Sequence, residues 1–213
     1  TPLLCRVDDI RPDDVVVLEL SSFQLMTVRQ SPGIAVVTNL APNHLDVHRD
    51  MDEYVNAKRN IFAYQDSGDR LVLNADNEIT AGFAAQARGA VTLFSRKRWL
   101  SGGVCLKDRT VMCGGRPVIS TGDILLPGLH NLENYMAAIA AVDGLVPDEV
   151  IRAYARTFGG VPHRIELVRE LDGVRYYNDS IASSPSRTTA GLRSFDRKVI
   201  LIAGGYDKHI PYG

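Results

Sequence analysis

Val15-Val16-Val17-Leu18-Glu19-Leu20 is an unbroken run of aliphatic, mostly β-branched residues carrying one carboxylate, and it ends abruptly on Ser21-Ser22-Phe23-Gln24. A second run of the same kind follows, Ile34-Ala35-Val36-Val37-Thr38-Asn39. Continuous apolar runs without polar alternation suit strands buried on both faces, as in a parallel sheet. Working outward, residues 51–64 read as a helix. Asp50 and Glu53 stand at capping-box spacing, and Met51, Tyr54, Val55, Ile61 and Phe62 form an apolar stripe at helical spacing. Residues 71–74 read as a strand, 77–88 as a helix and 90–94 as a strand. Residues 102–124, with their Gly-Gly turns, read as an antiparallel ribbon. Two helices follow. One starts near Asn131 and stops at Gly144; the other runs from Pro147 to Gly159, with Pro at its start and Gly past its end.

The stretch Gly159-Gly160-Val161-Pro162-His163 reads as a boundary between a first unit, 1–161, and a second, 162–213. The second unit is expected to hold a strand pair (165–170 and 174–177, turning at Asp172-Gly173), a helix after Pro185 and a strand over 198–203. Strand and helix alternate throughout, which predicts α/β architecture.

Composition excludes several classes. The 213 residues are 45% hydrophobic and 23% charged, with a net charge of −1, so neither a basic nucleic-acid surface nor a membrane surface is expected. No apolar run reaches the roughly 20 residues that span a bilayer. Thr1-Pro2-Leu3-Leu4-Cys5 carries no signal-peptide pattern. The missing initiator Met raises the expectation that the chain was cut from something longer. Three cysteines, Cys5, Cys105 and Cys113, suggest a reducing cytosol; Cys105 and Cys113 flank an expected hairpin, where they could be cross-strand neighbours, and read as buried structural thiols.

Open α/β sheets bind ligands beyond the carboxyl ends of their strands, and polar residues cluster at four expected strand ends. Glu19 with Ser21-Ser22 closes the first run, and Asn39 with Asn43-His44-Leu45-Asp46 closes the second. Asn178-Asp179-Ser180 and Gly204-Gly205-Tyr206-Asp207-Lys208 close the strands of the second unit. Lys58 falls in the middle of the apolar stripe. It is either a lysine snorkelling at the stripe's edge or an inward-facing amine that must be paired, neutralised or modified. Each of the others has a structural reading as well: Glu19 as a helix cap, His44 as a core histidine, Asn131 as an N-cap three residues before Asn134, and Asp179 and Lys208 as surface turns. Taken together, Glu19, His44 and Lys58 can ring a divalent cation, with Asn and Arg side chains reaching a nucleotide.

Leu18-Glu19-Leu20-Ser21-Ser22-Phe23-Gln24-Leu25, Asn43-His44-Leu45-Asp46, Lys58, Gly128-Leu129-His130-Asn131-Leu132-Glu133-Asn134, Pro162-His163-Arg164-Ile165-Glu166, Asn178-Asp179-Ser180 and Gly204-Gly205-Tyr206-Asp207-Lys208 occur in that order. As an ordered set they resemble the Mur ligase family, and within it the members that add D-glutamate, which carry the E-x-S-S-F-Q segment. The resemblance implies a parallel-sheet ATPase-type central domain, incomplete at its N-terminus, over 1–161, and the start of a Rossmann-like domain over 162–213. It implies ATP-dependent joining of D-glutamate to UDP-N-acetylmuramoyl-L-alanine through an acyl phosphate, in the cytoplasm and by a monomer. Glu19, His44 and a carbamylated Lys58 would hold Mg2+, with Mn2+ as a substitute suggested by the imidazole. Asn131, Asn134, Arg164 and Asp179 would contact ATP; Ser21, Ser22, Ser183 and Lys208 would face substrate. The G-x-x-x-x-G-K-[ST] loop is absent and is expected upstream of Thr1, so the piece alone is expected to be inactive. Ile181 and Ser183 stand where some members carry Lys and Thr. A Mur-ligase-like amidating enzyme and a non-catalytic module derived from a ligase remain open.

Overall fold

The computed structural model describes residues 3–41, 48–183 and 185–205. Six strands form one sheet in the order of the chain: β1 (Ile34–Val37), β2 (Arg70–Asn74), β3 (Ala90–Ser95), β4 (Val104–Lys107), β5 (Thr110–Cys113) and β6 (Arg116–Ser120). Strands β1 to β4 are parallel; β4, β5 and β6 are the antiparallel ribbon expected over 102–124. A second, two-stranded sheet joins β7 (Glu166–Leu171) to β8 (Val174–Asn178). Its turn places Asp172 and Gly173 at φ of 50° and 78°, the left-handed pair that matches hairpin twist.

Alternation along the strands builds two cores. Ala35, Val37, Leu71 and Leu73 face α2 (Met51–Arg59) and α3 (Glu78–Gly82), where they pack with Tyr54, Phe62 and Phe83. Val72 and Phe94 face the other way, into a cluster with Leu132, Met136 and Ile139 of α4 (Leu129–Val142) and Ala155 of α5 (Asp148–Ala155). A strand residue buried on either face is removed from water in both registers, which is why these runs show no polar alternation. At the amino edge of the sheet, the Arg70 guanidinium donates to the carbonyls of Ala140, Ala141 and Asp143 at 3.4, 3.3 and 2.9 Å. It thereby caps the negative end of the α4 dipole. The opposite end of α4 must then lie at the carboxyl edge, and the Arg96–Glu133 pair at 2.9 Å confirms it.

Several expectations need correction. Among the described residues, 15–20 and 198–203 belong to no strand. Val15, Val17, Ile200 and Ile202 are 84, 89, 96 and 94% exposed. β-Branched runs carry the propensity, but a strand needs a neighbour for its backbone groups, and among the described residues neither run has one. The helix expected over 51–64 ends at Arg59 and continues as turns. Asp50 caps it by accepting from the Glu53 amide (2.8 Å), whereas the Glu53 carboxylate reaches the Arg49 amide (2.7 Å), one residue beyond the capping-box partner. The helix expected over 77–88 is α3 followed by a 3-10 turn, Phe83–Gln86. Cys105 and Cys113 are both buried and free, and Cys113 lies opposite Val104, one residue out of register.

Candidate functional site

The segment from Glu19 to Leu25 is held from one side by the region around α2. Ser21 caps the short helix α1 (Ser22–Leu25) in a complete capping box with Gln24. The Lys58 ammonium donates to the Leu20 carbonyl at 3.3 Å, and the Asn60 amide donates to the Leu25 carbonyl at 2.8 Å. Lys58 is half-buried and Glu19 exposed. Burial pulls the Lys58 pKa below the ordinary lysine range, and the nearby Glu19 carboxylate opposes that shift. Glu19 and Lys58 are therefore electrostatic neighbours. His44 and Lys208 lie outside the described residues.

Ser22 is buried, and its hydroxyl sits 2.8 Å from His48 Nε2. Asn131 is the third residue of α4, so it is not the N-cap; that place belongs to Gly128 at φ 99°. Its amide donates back to the Pro127 carbonyl at 2.7 Å and is buried in that turn. Asn134, one turn further, is exposed. Asp179 accepts from the Ile165 amide at 3.1 Å, next to an exposed Arg164. Ser183 is exposed in the loop that leads to α6 (Pro185–Leu192).

The residues just after α6 lie against the start of α4 at this edge. A Cβ on Gly128 would collide with the Ser194 hydroxyl and come within 2.7 Å of the His130 ring, so this positive-φ position accepts only glycine. The His130 pKa is lowered, first by burial and then by Arg164, against the opposing charges of Glu133 and Asp179. Arg187 of α6 acts in the same electrostatic way on Tyr54 of α2. Arg164, Asp179 and Arg187 thus face the starts of α2 and α4, where the parallel strands end.

Sequence reasoning missed a polar network at that edge. The Asp76 carboxylate, 6% exposed, accepts from the Ser95 hydroxyl (2.5 Å) and from the amides of Arg96 (2.8 Å) and Lys97 (3.2 Å). Asn74 donates to Asn39 at 3.0 Å, and Asn77 to the Leu40 carbonyl at 2.8 Å. The signal was available, because Asp76 follows a strand end just as Glu19 and Asn39 were expected to. Among the described residues there is no group of three or more His, Cys, Asp and Glu side chains able to hold a metal, and no helix long and apolar enough to cross a membrane.

A family profile for the Mur ligase middle domain matches residues 7–142. The chain belongs to the Mur ligase family. Two relatives share the printed name UDP-N-acetylmuramoylalanine–D-glutamate ligase. That of Acetivibrio thermocellus is 60% identical, covering 99% of this chain and 46% of the relative. That of Clostridium botulinum (strain Alaska E43 / Type E3) is 56% identical, covering 100% and 46%. The chain spans about half the length of the curated relatives it matches. Among solved structures, MurF of Acinetobacter baumannii aligns with a TM-score of 0.65 at 18% identity, covering 82% of this chain and 40% of that one. The UDP-N-acetylmuramate-alanine ligase MurC of Thermotoga maritima aligns with 0.63 at 22%, covering 82% and 40%. At such identities these two neighbours establish the Mur ligase fold and nothing finer.

Proposed function

We propose that the full-length protein containing this chain is an ATP-dependent ligase of peptidoglycan precursor synthesis that joins D-glutamate to UDP-N-acetylmuramoyl-L-alanine. The names and identities of its relatives support the substrate pair. The observation that carries the chemistry is Lys58, half-buried against the Leu20 carbonyl beside Glu19, with its pKa drawn down by burial. A lowered pKa raises the fraction of neutral amine, which is the form that attacks carbon dioxide. The N–C bond forms, one proton leaves, and a costly buried cation becomes an anionic carbamate. An ammonium would repel a metal, whereas a carbamate beside a carboxylate offers the oxygen ligands that magnesium prefers.

Glu19, carbamylated Lys58 and His44 would then hold Mg2+, or Mn2+ in its place. When bound, the ion offsets negative charge on the triphosphate and the attacking carboxylate. Asn134, Arg164 and Asp179 would contact ATP, with Asn131 shaping the turn that presents Asn134. Ser21, Ser183 and Lys208 are the candidates for the substrate side; Ser22 serves His48 instead. The L-alanyl carboxylate attacks the γ-phosphorus and ADP leaves. The amine of D-glutamate then attacks the acyl phosphate, inorganic phosphate leaves, and the amine gives up a proton. Neither step needs a covalent enzyme nucleophile, so positioning and electrostatics carry the rate. We place the reaction in the cytoplasm, on a monomer, with residues 1–161 as the central domain and 162–213 beginning the C-terminal one.

The test is ADP release by the full-length protein with UDP-N-acetylmuramoyl-L-alanine and, in parallel, D-glutamate, L-glutamate or ammonia. Release that requires D-glutamate supports the assignment. Equal release with ammonia would point to an amidating enzyme, and no release with any amine would end the reading.

A further inference from the structure

We propose that His48 is a positioning residue: it locks the Ser21–Gln24 turn so that Glu19 and the Leu20 carbonyl stay opposite Lys58. The proposal rests on Glu19 and Lys58 forming the reaction site.

His48 is 2% exposed, as is Ser22, and the two side chains meet at 2.8 Å through Nε2 and Oγ. The imidazole lies flat against Phe23, with centroids 5.1 Å apart and planes 6° from parallel, and meets Tyr54 of α2 at 5.3 Å and 54°. Its Nδ1 is buried without a hydrogen-bond partner among the described residues and faces the Glu53 carboxylate at 3.8 Å. That carboxylate is itself fixed by the Arg49 amide at 2.7 Å. Placing the ring proton on Nδ1, toward Glu53, leaves Nε2 to accept the Ser22 hydroxyl. The ring is thus anchored to the first turn of α2 on one side and to the E-x-S-S-F-Q segment on the other.

Three side chains of residues 48–60 hold the 20–25 segment: Lys58 at the Leu20 carbonyl, His48 at Ser22 and Asn60 at the Leu25 carbonyl. Carbamylation would convert the Lys58 ammonium, a donor of three protons, into an anion directed at a metal. The tie at Leu20 would then be weakened. Asn60 holds the far end of α1, so the His48–Ser22 contact is left as the fixed point nearest Glu19. A buried polar pair between two aromatic rings is kept only where its hydrogen bond is made, and here that bond sets the direction of the carboxylate three residues away. Outer contacts of this kind govern how well ligand groups converge.

The experiment uses the full-length protein and compares His48→Phe, His48→Gln, Ser22→Ala and the His48→Phe/Ser22→Ala double variant. Rates are measured against substrate and magnesium concentration, with circular dichroism to verify folding. His48→Phe keeps the stacked, buried ring and lacks Nε2. It is expected to lower kcat by roughly 10-fold or more and to raise the magnesium needed for half-maximal rate, leaving the KM for D-glutamate little changed. Ser22→Ala should lose as much, and the double variant no more than either, because both remove one contact. His48→Gln places an amide where Nε2 stood and should recover most of the rate. Wild-type kcat and magnesium dependence in His48→Phe would overturn the proposal, as would losses that simply add in the double variant. Should His48→Phe fail to fold, Ser22→Ala and His48→Gln decide by the same criteria. A wild-type protein without ligase activity, or a fully active Glu19→Gln, would remove the site itself and this inference with it.

Discussion

Replacing Asp76 by Ala should loosen the carboxyl edge of the sheet at one defined place. The carboxylate accepts three hydrogen bonds, from the Ser95 hydroxyl and from the Arg96 and Lys97 amides. A hydrogen bond to a charged group contributes about 1.5–3 kcal/mol, and an orphaned buried donor costs a comparable amount. The Lys97 contact is exposed, and the Ser95 hydroxyl can turn elsewhere, so the Arg96 amide dominates. Local opening of the segment that begins at Ser95 should then become easier by about 2–3 kcal/mol, equivalent to roughly 30- to 150-fold faster exchange. Hydrogen exchange of the full-length protein, followed by mass spectrometry on peptides covering 95–101, reads this directly. Asp76→Asn, which keeps one acceptor oxygen, should give a smaller acceleration. Unchanged exchange at Arg96 and Lys97 in Asp76→Ala would show that the carboxylate does not hold this edge, whatever the static distances suggest.

Lys58→Ala should lower ligation by about 100-fold or more, with partial recovery on adding short carboxylic acids that restore an anionic oxygen; full activity in that variant would dismiss the carbamate. Cys113, pushed up to about 11 by burial and by the adjacent Asp143 carboxylate, should resist a thiol reagent at pH 8. Of the three cysteines in this chain only the exposed Cys5 should label quickly, and rapid native labelling of Cys113 would contradict the packing around β5. His130 has a lowered pKa in the folded chain, so the unfolded chain binds more protons as the pH falls from about 6.5 through the folded value. Stability therefore falls on acidification across that window. His130→Asn should flatten the slope in thermal unfolding followed against pH; identical slopes would show that His130 is not the source.

The sequence disclosed what depends on composition and spacing. The parallel strands at Ile34–Val37 and Arg70–Asn74, the ribbon, α4 and the β7–β8 hairpin were legible because apolar runs, Gly turns and helical stripes are local signals. The runs 15–20 and 198–203 read as strands for the same reason but pair with nothing among the described residues, since pairing is decided by a neighbour that propensity does not reveal. Lys58 was legible as an anomaly in an apolar stripe. His48 and Asp76 were not recognised. Asp76 carried the same strand-end signal as Glu19 and Asn39, whereas the importance of His48 lies in a contact across 26 residues to Ser22, which no periodicity encodes. Asn131 fitted the pattern of an N-cap, but the helix begins two residues earlier, at Leu129.

Among the described residues the outer side of β1 has no partner strand and the runs at 15–18 and 199–202 belong to no sheet, which has a consequence for handling. Backbone donors and acceptors along an open strand edge, and exposed valine and isoleucine side chains elsewhere in the chain, offer another copy places to pair. Expressed by itself at high concentration, this stretch is prone to precipitate or to form cross-β fibrils. Lysine or proline introduced at Val15 or Val17 would be the first remedy for insolubility.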